Sequence, residues 1–259
     1  MNRIDELFLS HKSGILSVYF TAGFPEVDST REIINNLAKA GVDMIEIGIP
    51  FSDPLADGPV IQKSSTTALR NGMSMKLLFR QLEGIRENVN IPLILMGYLN
   101  PVMKFGMEEF CRHCFETGID GAIIPDLPPE IYRQQYSDIF KKYGLYNILL
   151  ICPQTDPQRV QFIDSLTDGF IYMVSSSSVT GIKGSFTEEQ RNYFRKIKNM
   201  NLLHPLMIGF GISNHETFSE VCKTANGAII GSAFIKMIEE KGTDYESIKN
   251  FVEGIRNNK

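Results

Sequence analysis

The chain has 259 residues, 43% of them hydrophobic and 22% charged, with a formal net charge of −4. That length can bury a large core and suits either two small domains or one α/β barrel, while the mild acidity and the lack of a Lys/Arg-rich run weigh against nucleic acid or a membrane surface as partner. The amphipathic start MNRIDELFLSHKSG lacks a signal-peptide core, no later segment reaches the apolar length of a membrane span, and four cysteines are too few for a disulfide scaffold, so a soluble cytoplasmic protein acting on a small molecule or another protein is expected.

Residues 3 to 11 read as a short helix ahead of the first strand. Eight apolar strand-like runs follow, at 14–20, 42–49, 91–97, 121–126, 146–152, 170–174, 205–211 and 227–232. Helical patterns separate most of them, from STREIINNLAKAG after the first run, through MEEFCRHCFETG, PEIYRQQYSDIFKKYG, FTEEQRNYFRKIKN and NHETFSEVCKTA, to DYESIKNFVEGIR at the end. Alternating strands and helices imply parallel pairing through right-handed crossovers, and strands apolar on nearly every residue have both faces covered. The expectation is one (β/α)8 TIM barrel spanning 1–259, with a short N-terminal helix and extra helices in the connections after strands two and eight. An open doubly wound sheet is the less economical alternative.

In a parallel barrel the chemistry sits where strands end. The stretch IEIGIPFSDPLADGPVIQ, residues 45–62, places Glu46 between Ile45 and Ile47, on the inner face of a strand. A buried carboxylate is costly unless protonated or paired, and none of the eight strand runs offers a Lys or Arg. Pro50, Pro54 and Pro59 stiffen the loop that carries Asp53 and Asp57. Asp57, before Gly58, is either an acid of the site or a turn former, and Asp126 after strand four is open to the same two readings.

Three glycine elements carry a different chemistry: Thr180-Gly181, Gly209-Phe210-Gly211 and Gly231-Ser232. The last two close strands seven and eight, where barrels bind phosphate on backbone N–H groups. The polar segment 175–190 is longer than an ordinary connection and is either a lid or a surface loop. Cys111 and Cys114, with His113 between them, fall on one helix face and lack a second pair at zinc spacing. No histidine ends a strand, so a histidine-based triad is not expected.

With these residues in place, IEIGIPFSDPLADGPVIQ closely resembles the signature of tryptophan synthase alpha subunits, and the resemblance runs from YFTAGFP at Tyr19 to IIGSAFIK in the last strand unit. It implies a barrel that cleaves indole-3-glycerol phosphate to indole and glyceraldehyde 3-phosphate. The expected partner is a beta subunit in an alpha2beta2 tetramer; no cofactor is implied here, with pyridoxal phosphate expected only in that partner. The resemblance makes Glu46 the general acid/base and Asp57 the carboxylate facing the indole nitrogen. Tyr98 and Tyr172 would line the indole pocket with Asp126 near them, and the three glycine elements would hold phosphate and form the lid. Two departures stand out: Ser176, where some members carry arginine, and Tyr19, a substrate-lining position where phenylalanine is common. A stand-alone lyase, another phosphosugar barrel such as an isomerase, and a catalytically silent regulatory subunit are the competing readings; the buried acid and the SDPLADGP loop argue against the last two.

Overall fold

The computed structural model describes residues 1–175 and 185–257. Eight parallel strands close on themselves in sequence order: β1 (Ile15–Thr21), β2 (Met44–Gly48), β3 (Leu93–Met96), β4 (Gly121–Ile123), β5 (Tyr146–Ile151), β6 (Ile171–Val174), β7 (Leu206–Gly209) and β8 (Gly227–Ile230). All eight expected runs form strands, and β8 pairs back onto β1 with Ile15 beside Gly227. Every residue of β1, β2, β7 and β8 is buried, as covered faces require.

The helices, in order, are α1 (Arg3–Ser10), α2 (Ser29–Ala40), α3 (Pro59–Arg70), α4 (Met75–Leu82), α5 (Leu99–Phe105), α6 (Met107–Thr117), α7 (Pro129–Ile131), α8 (Ser137–Lys142), α9 (Pro157–Asp164), α10 (Glu188–Lys198), α11 (His215–Val221), α12 (Ser232–Lys241) and α13 (Tyr245–Arg256). Extra helices lie after β2 and β8, as expected. The connection after β3 is also split, because Gly106, at φ 102°, ends α5 before α6 begins. Pro101 sits in the first turn of α5, where its missing N–H has no helical acceptor to lose. Between α7 and α8 the backbone widens into a π turn over Tyr132–Tyr136.

Helix α1 closes the N-terminal end of the barrel. Ile4 is fully buried where Gly121 and Gly169 leave room for it, and the Phe8 ring lies 5.8 Å from that of Phe170. Below β3 and β4, Asp120 gathers Arg3, Arg86 and the Leu93 N–H, while Arg86 also donates to the carbonyls of Gly118, Val89 and Ile91. Here Asp120 is paired with both Arg3 and Arg86, a structural rather than a reactive use of a carboxylate.

Three expected strands overran their exits by two residues or more, among them 227–232, which leaves the sheet after Ile230. The run 121–126 leaves the sheet after Ile123, and 205–211 leaves after Gly209, since Phe210 and Gly211 take φ of 71° and 78°, which no strand can continue.

Candidate active site

Strand β2 brings Glu46 into the barrel interior, in register with Tyr19 on β1 and Ile94 on β3. Its side chain is completely buried. Ser17 donates a hydrogen bond to Oε1 at 3.0 Å, and Oε2 has no partner among the described residues. Burial pushes this carboxyl up to about 8, with the Ser17 bond pulling the other way. No cation among the described residues neutralises it, so it holds a proton near neutral pH.

Asp57 reaches the same space from the loop after β2. The loop is knitted by Leu55 N–H to Asp53 O at 2.9 Å and Asp57 N–H to Pro54 O at 3.1 Å, and Gln62 of α3 donates to Asp57 O at 2.9 Å. The carboxyl is 7% exposed and accepts the Tyr98 hydroxyl at 3.0 Å. Burial raises it to about 6, against the lowering effect of that hydrogen bond. Phe51 packs its ring 5.2 Å from Tyr98, so the loop is wrapped around a tyrosine from the next strand.

Tyr172 on β6 faces these acids from across the barrel. Burial first, and then the charges of Glu46 and Asp57, drive its phenol well above the ordinary range. Glycines make room for the two inward tyrosines: a Cβ on Gly48 would collide with the Tyr19 hydroxyl, and one on Gly209 with that of Tyr172. A cavity of about 630 Å³ opens above, touched by Tyr19, Asp57 and Tyr172 at one end and by Phe210, Gly211 and Ser232 at the other. Met96, Ile61 and Ile229 supply apolar wall between them.

At the second end, Ser175 Oγ donates to Phe210 O at 2.7 Å and holds the left-handed pair Phe210-Gly211 in place. Ser232 is the first residue of α12, so its N–H has no helical acceptor and lies beside the cavity with the positive end of the helix dipole. Such an end is suited to an oxyanion.

Most of the expected site residues therefore converge. Glu46, Gly209 and Tyr98 do not line the cavity themselves, and Tyr98 is hydrogen-bonded to Asp57, which does. Asp126 is exposed and accepts the Leu99 N–H at 2.8 Å at the start of α5, beside Tyr98 but off the cavity. Thr180, Gly181 and Ser176 lie outside the described residues, as does most of the segment 175–190 expected as a lid. Ser185, Phe186 and Thr187 at its end touch the cavity, and Thr187 caps α10 in a capping box with Gln190. Cys111 and Cys114 are buried on α6. Among the described residues no group of three His, Cys, Asp or Glu could hold a metal ion. Ser17 escaped sequence reasoning, although a hydroxyl two residues before Tyr19 in an apolar strand marks the same face.

The family model described as tryptophan synthase alpha chain matches residues 8–258. The chain belongs to the tryptophan synthase alpha chain family. It is 57% identical over 256 residues to the tryptophan synthase alpha chain of Flavobacterium johnsoniae, covering 99% of this chain and 100% of that protein. The crystal structure of the alpha chain from Legionella pneumophila superposes with a TM-score of 0.88 at 34% identity, covering 99% of this chain and 96% of the other. A chain of the tryptophan synthase complex from Pyrococcus furiosus gives 0.84 at 33% identity, covering 95% and 98%. Membership in the tryptophan synthase alpha family accounts for a barrel whose mouth pairs an acidic, aromatic end with an anion-ready end.

Proposed function

We propose that this member of the tryptophan synthase alpha family is a lyase that cleaves indole-3-glycerol phosphate to indole and glyceraldehyde 3-phosphate, with Glu46 and Asp57 as its catalytic residues. The observation that carries the assignment is the buried Glu46, raised to about 8 with no cation and no partner for Oε2 among the described residues, together with an Asp57 raised only to about 6. Two carboxyls whose environments separate their proton affinities take different roles. At neutral pH Glu46 is the acid and Asp57 the anion.

Glu46 gives its proton to the indole C3, and the positive charge that appears on the ring nitrogen is met by ionised Asp57, itself oriented by Tyr98. The bond from C3 to the carbinol carbon then breaks. Its electron pair restores the aromatic ring, the carbinol becomes an aldehyde, and the Glu46 carboxylate takes the hydroxyl proton. The acid is regenerated, and the step needs no cofactor from this chain. Tyr172 and the apolar wall would flank the indole. The N–H groups of Gly211 and Ser232, with Thr180-Gly181, would bind the phosphate, turning its binding energy into orientation of the glycerol chain.

The partner in this reading is a tryptophan synthase beta subunit, in an alpha2beta2 assembly, and the pyridoxal phosphate belongs to that subunit. Support comes from the Pyrococcus furiosus complex and from Leu55, which is 91% exposed on the loop that carries Asp57. No helix among the described residues is long and apolar enough to cross a membrane, which agrees with a cytoplasmic location. Indole release from indole-3-glycerol phosphate, measured with and without a beta subunit, tests the reading. No release in either case would refute it, and release that an added beta subunit neither binds nor changes would favour a stand-alone lyase.

A further inference from the structure

We infer that the Tyr19 hydroxyl holds the carbinol oxygen of the substrate between the two carboxyls, making Tyr19 a residue that selects for a hydroxylated chain. The inference rests on the lyase reading of Glu46 and Asp57. Tyr19 lies across the floor of the cavity, 7% exposed, with its backbone in register with Glu46. Its Cδ1 is 3.2 Å from where a Cβ on Gly231 would stand, beside the anion-ready end, and its hydroxyl fills the space over Gly48, two residues beyond Glu46 on β2. The phenol thus spans from the expected phosphate to the carboxyl layer, along the path of the three-carbon chain.

The hydroxyl is held in place and yet has bonding capacity to spare. Thr21 is its hydrogen-bonding neighbour, and Thr21 in turn pairs with Ser64 of α3 at 2.6 Å, a contact in which either hydroxyl can donate. A phenol has one proton to give, and where Ser64 donates to Thr21 and Thr21 to the phenol oxygen, that proton is left for a ligand. Burial, and after it the charge of Asp57, raise the Tyr19 phenol far above its ordinary range, and Glu46 adds in the same direction. It therefore stays protonated wherever the enzyme works. A neutral donor at the carbinol oxygen can steady the charge that builds there as Glu46 removes the proton, and it never competes for that proton. No bond to Tyr19 forms or breaks.

Tyr19→Phe in the full-length chain removes the oxygen and keeps the ring. Turnover of indole-3-glycerol phosphate and calorimetric binding of 3-(indol-3-yl)propyl phosphate, which lacks both chain hydroxyls, are the two measurements. One neutral hydrogen bond corresponds to about tenfold, so kcat/KM should fall about tenfold, chiefly in kcat, while the Kd of the propyl phosphate changes less than about twofold and Tm is kept. An unchanged kcat/KM, or equal weakening toward the hydroxyl-free analogue, overturns the inference and leaves Tyr19 as packing. Failure of the unsubstituted chain to release indole overturns the lyase reading and the inference with it.

Discussion

Tyr98 and Asp57 hold each other across the barrel mouth: the phenol donates to Asp57 Oδ2 at 3.0 Å and accepts the Ala56 N–H at 3.0 Å. One side chain from the end of β3 thus fixes both the acid and the peptide before it. That bond stabilises the ionised carboxylate and pulls it below where burial alone would put it. Tyr98→Phe should move the acidic limb of the kcat/KM profile to higher pH and lower activity most below neutrality. A limb that stays in place would mean that Tyr98 only packs against Phe51.

The unsubstituted enzyme should show a bell-shaped kcat/KM profile. Activity requires ionised Asp57 and protonated Glu46, so it rises as pH passes about 6 and falls as pH passes about 8. Stopped assays in a constant-ionic-strength buffer series would measure it. A flat profile across this range would contradict the assigned protonation states.

Glu46→Gln keeps the shape and removes the proton shuttle. Turnover should fall at least about 100-fold while the Kd of 3-(indol-3-yl)propyl phosphate stays within a few-fold. Stability supplies an independent readout. Below about 4.5 both folded and unfolded chains keep this proton; above it the unfolded chain ionises while folded Glu46 resists until about 8, so its contribution is lost across that window and levels off beyond it. The variant lacks this loss and should melt higher than the parent at pH 8, by a free energy on the order of a few kcal/mol. Parallel Tm-against-pH curves for the two proteins would show that Glu46 is not the buried carboxylic acid described.

Phe210 and Gly211 prepare the anion end with a backbone that a branched residue resists. Gly211→Val should weaken glycerol phosphate binding by about tenfold or more, because the N–H would turn away from the ligand. In crystals grown with sulfate, density is expected between Gly211 and Ser232. Undiminished affinity in the variant, with sulfate found elsewhere, would remove the site.

Leu55 offers a test of the partner. Leu55→Ser should leave the activity of the isolated chain within about twofold, since the side chain points to solvent, and raise the Kd for a beta subunit several-fold through lost apolar burial. If the contact also steadies Asp57, the gain in alpha turnover on adding the beta subunit shrinks in proportion. Equal beta affinity for both proteins would place the interface elsewhere.

The barrel was legible because its evidence is local: runs apolar on every residue, spaced by helical patterns, admit few architectures. Glu46 was legible for the same reason, as an acid in an alternating strand with no cation in any neighbouring run. Asp57 was not separable from a turn former, since its burial and its partner Tyr98, 41 residues away, are not local features. Asp126 has the same local pattern but is exposed and accepts the Leu99 N–H at a helix start. The strand ends at Ile123 and Gly209 were overrun because apolar residues continue past the point where the backbone turns. Gly48 and Gly209 carried a signal in principle, as glycines in strands that must admit something close, but which ring each admits depends on pairing across the sheet.

Helix α1 has a consequence for traffic. With Ile4 and Phe8 packed into the far end, the cavity lies at the opposite end of the barrel, among the strand exits. It is lined on one side by Asp57 and the start of α3, just past exposed Leu55, and on another by Ser185, Phe186 and Thr187 leading into α10. A protein seated on the Leu55 side of that mouth would stand next to the place where indole is released.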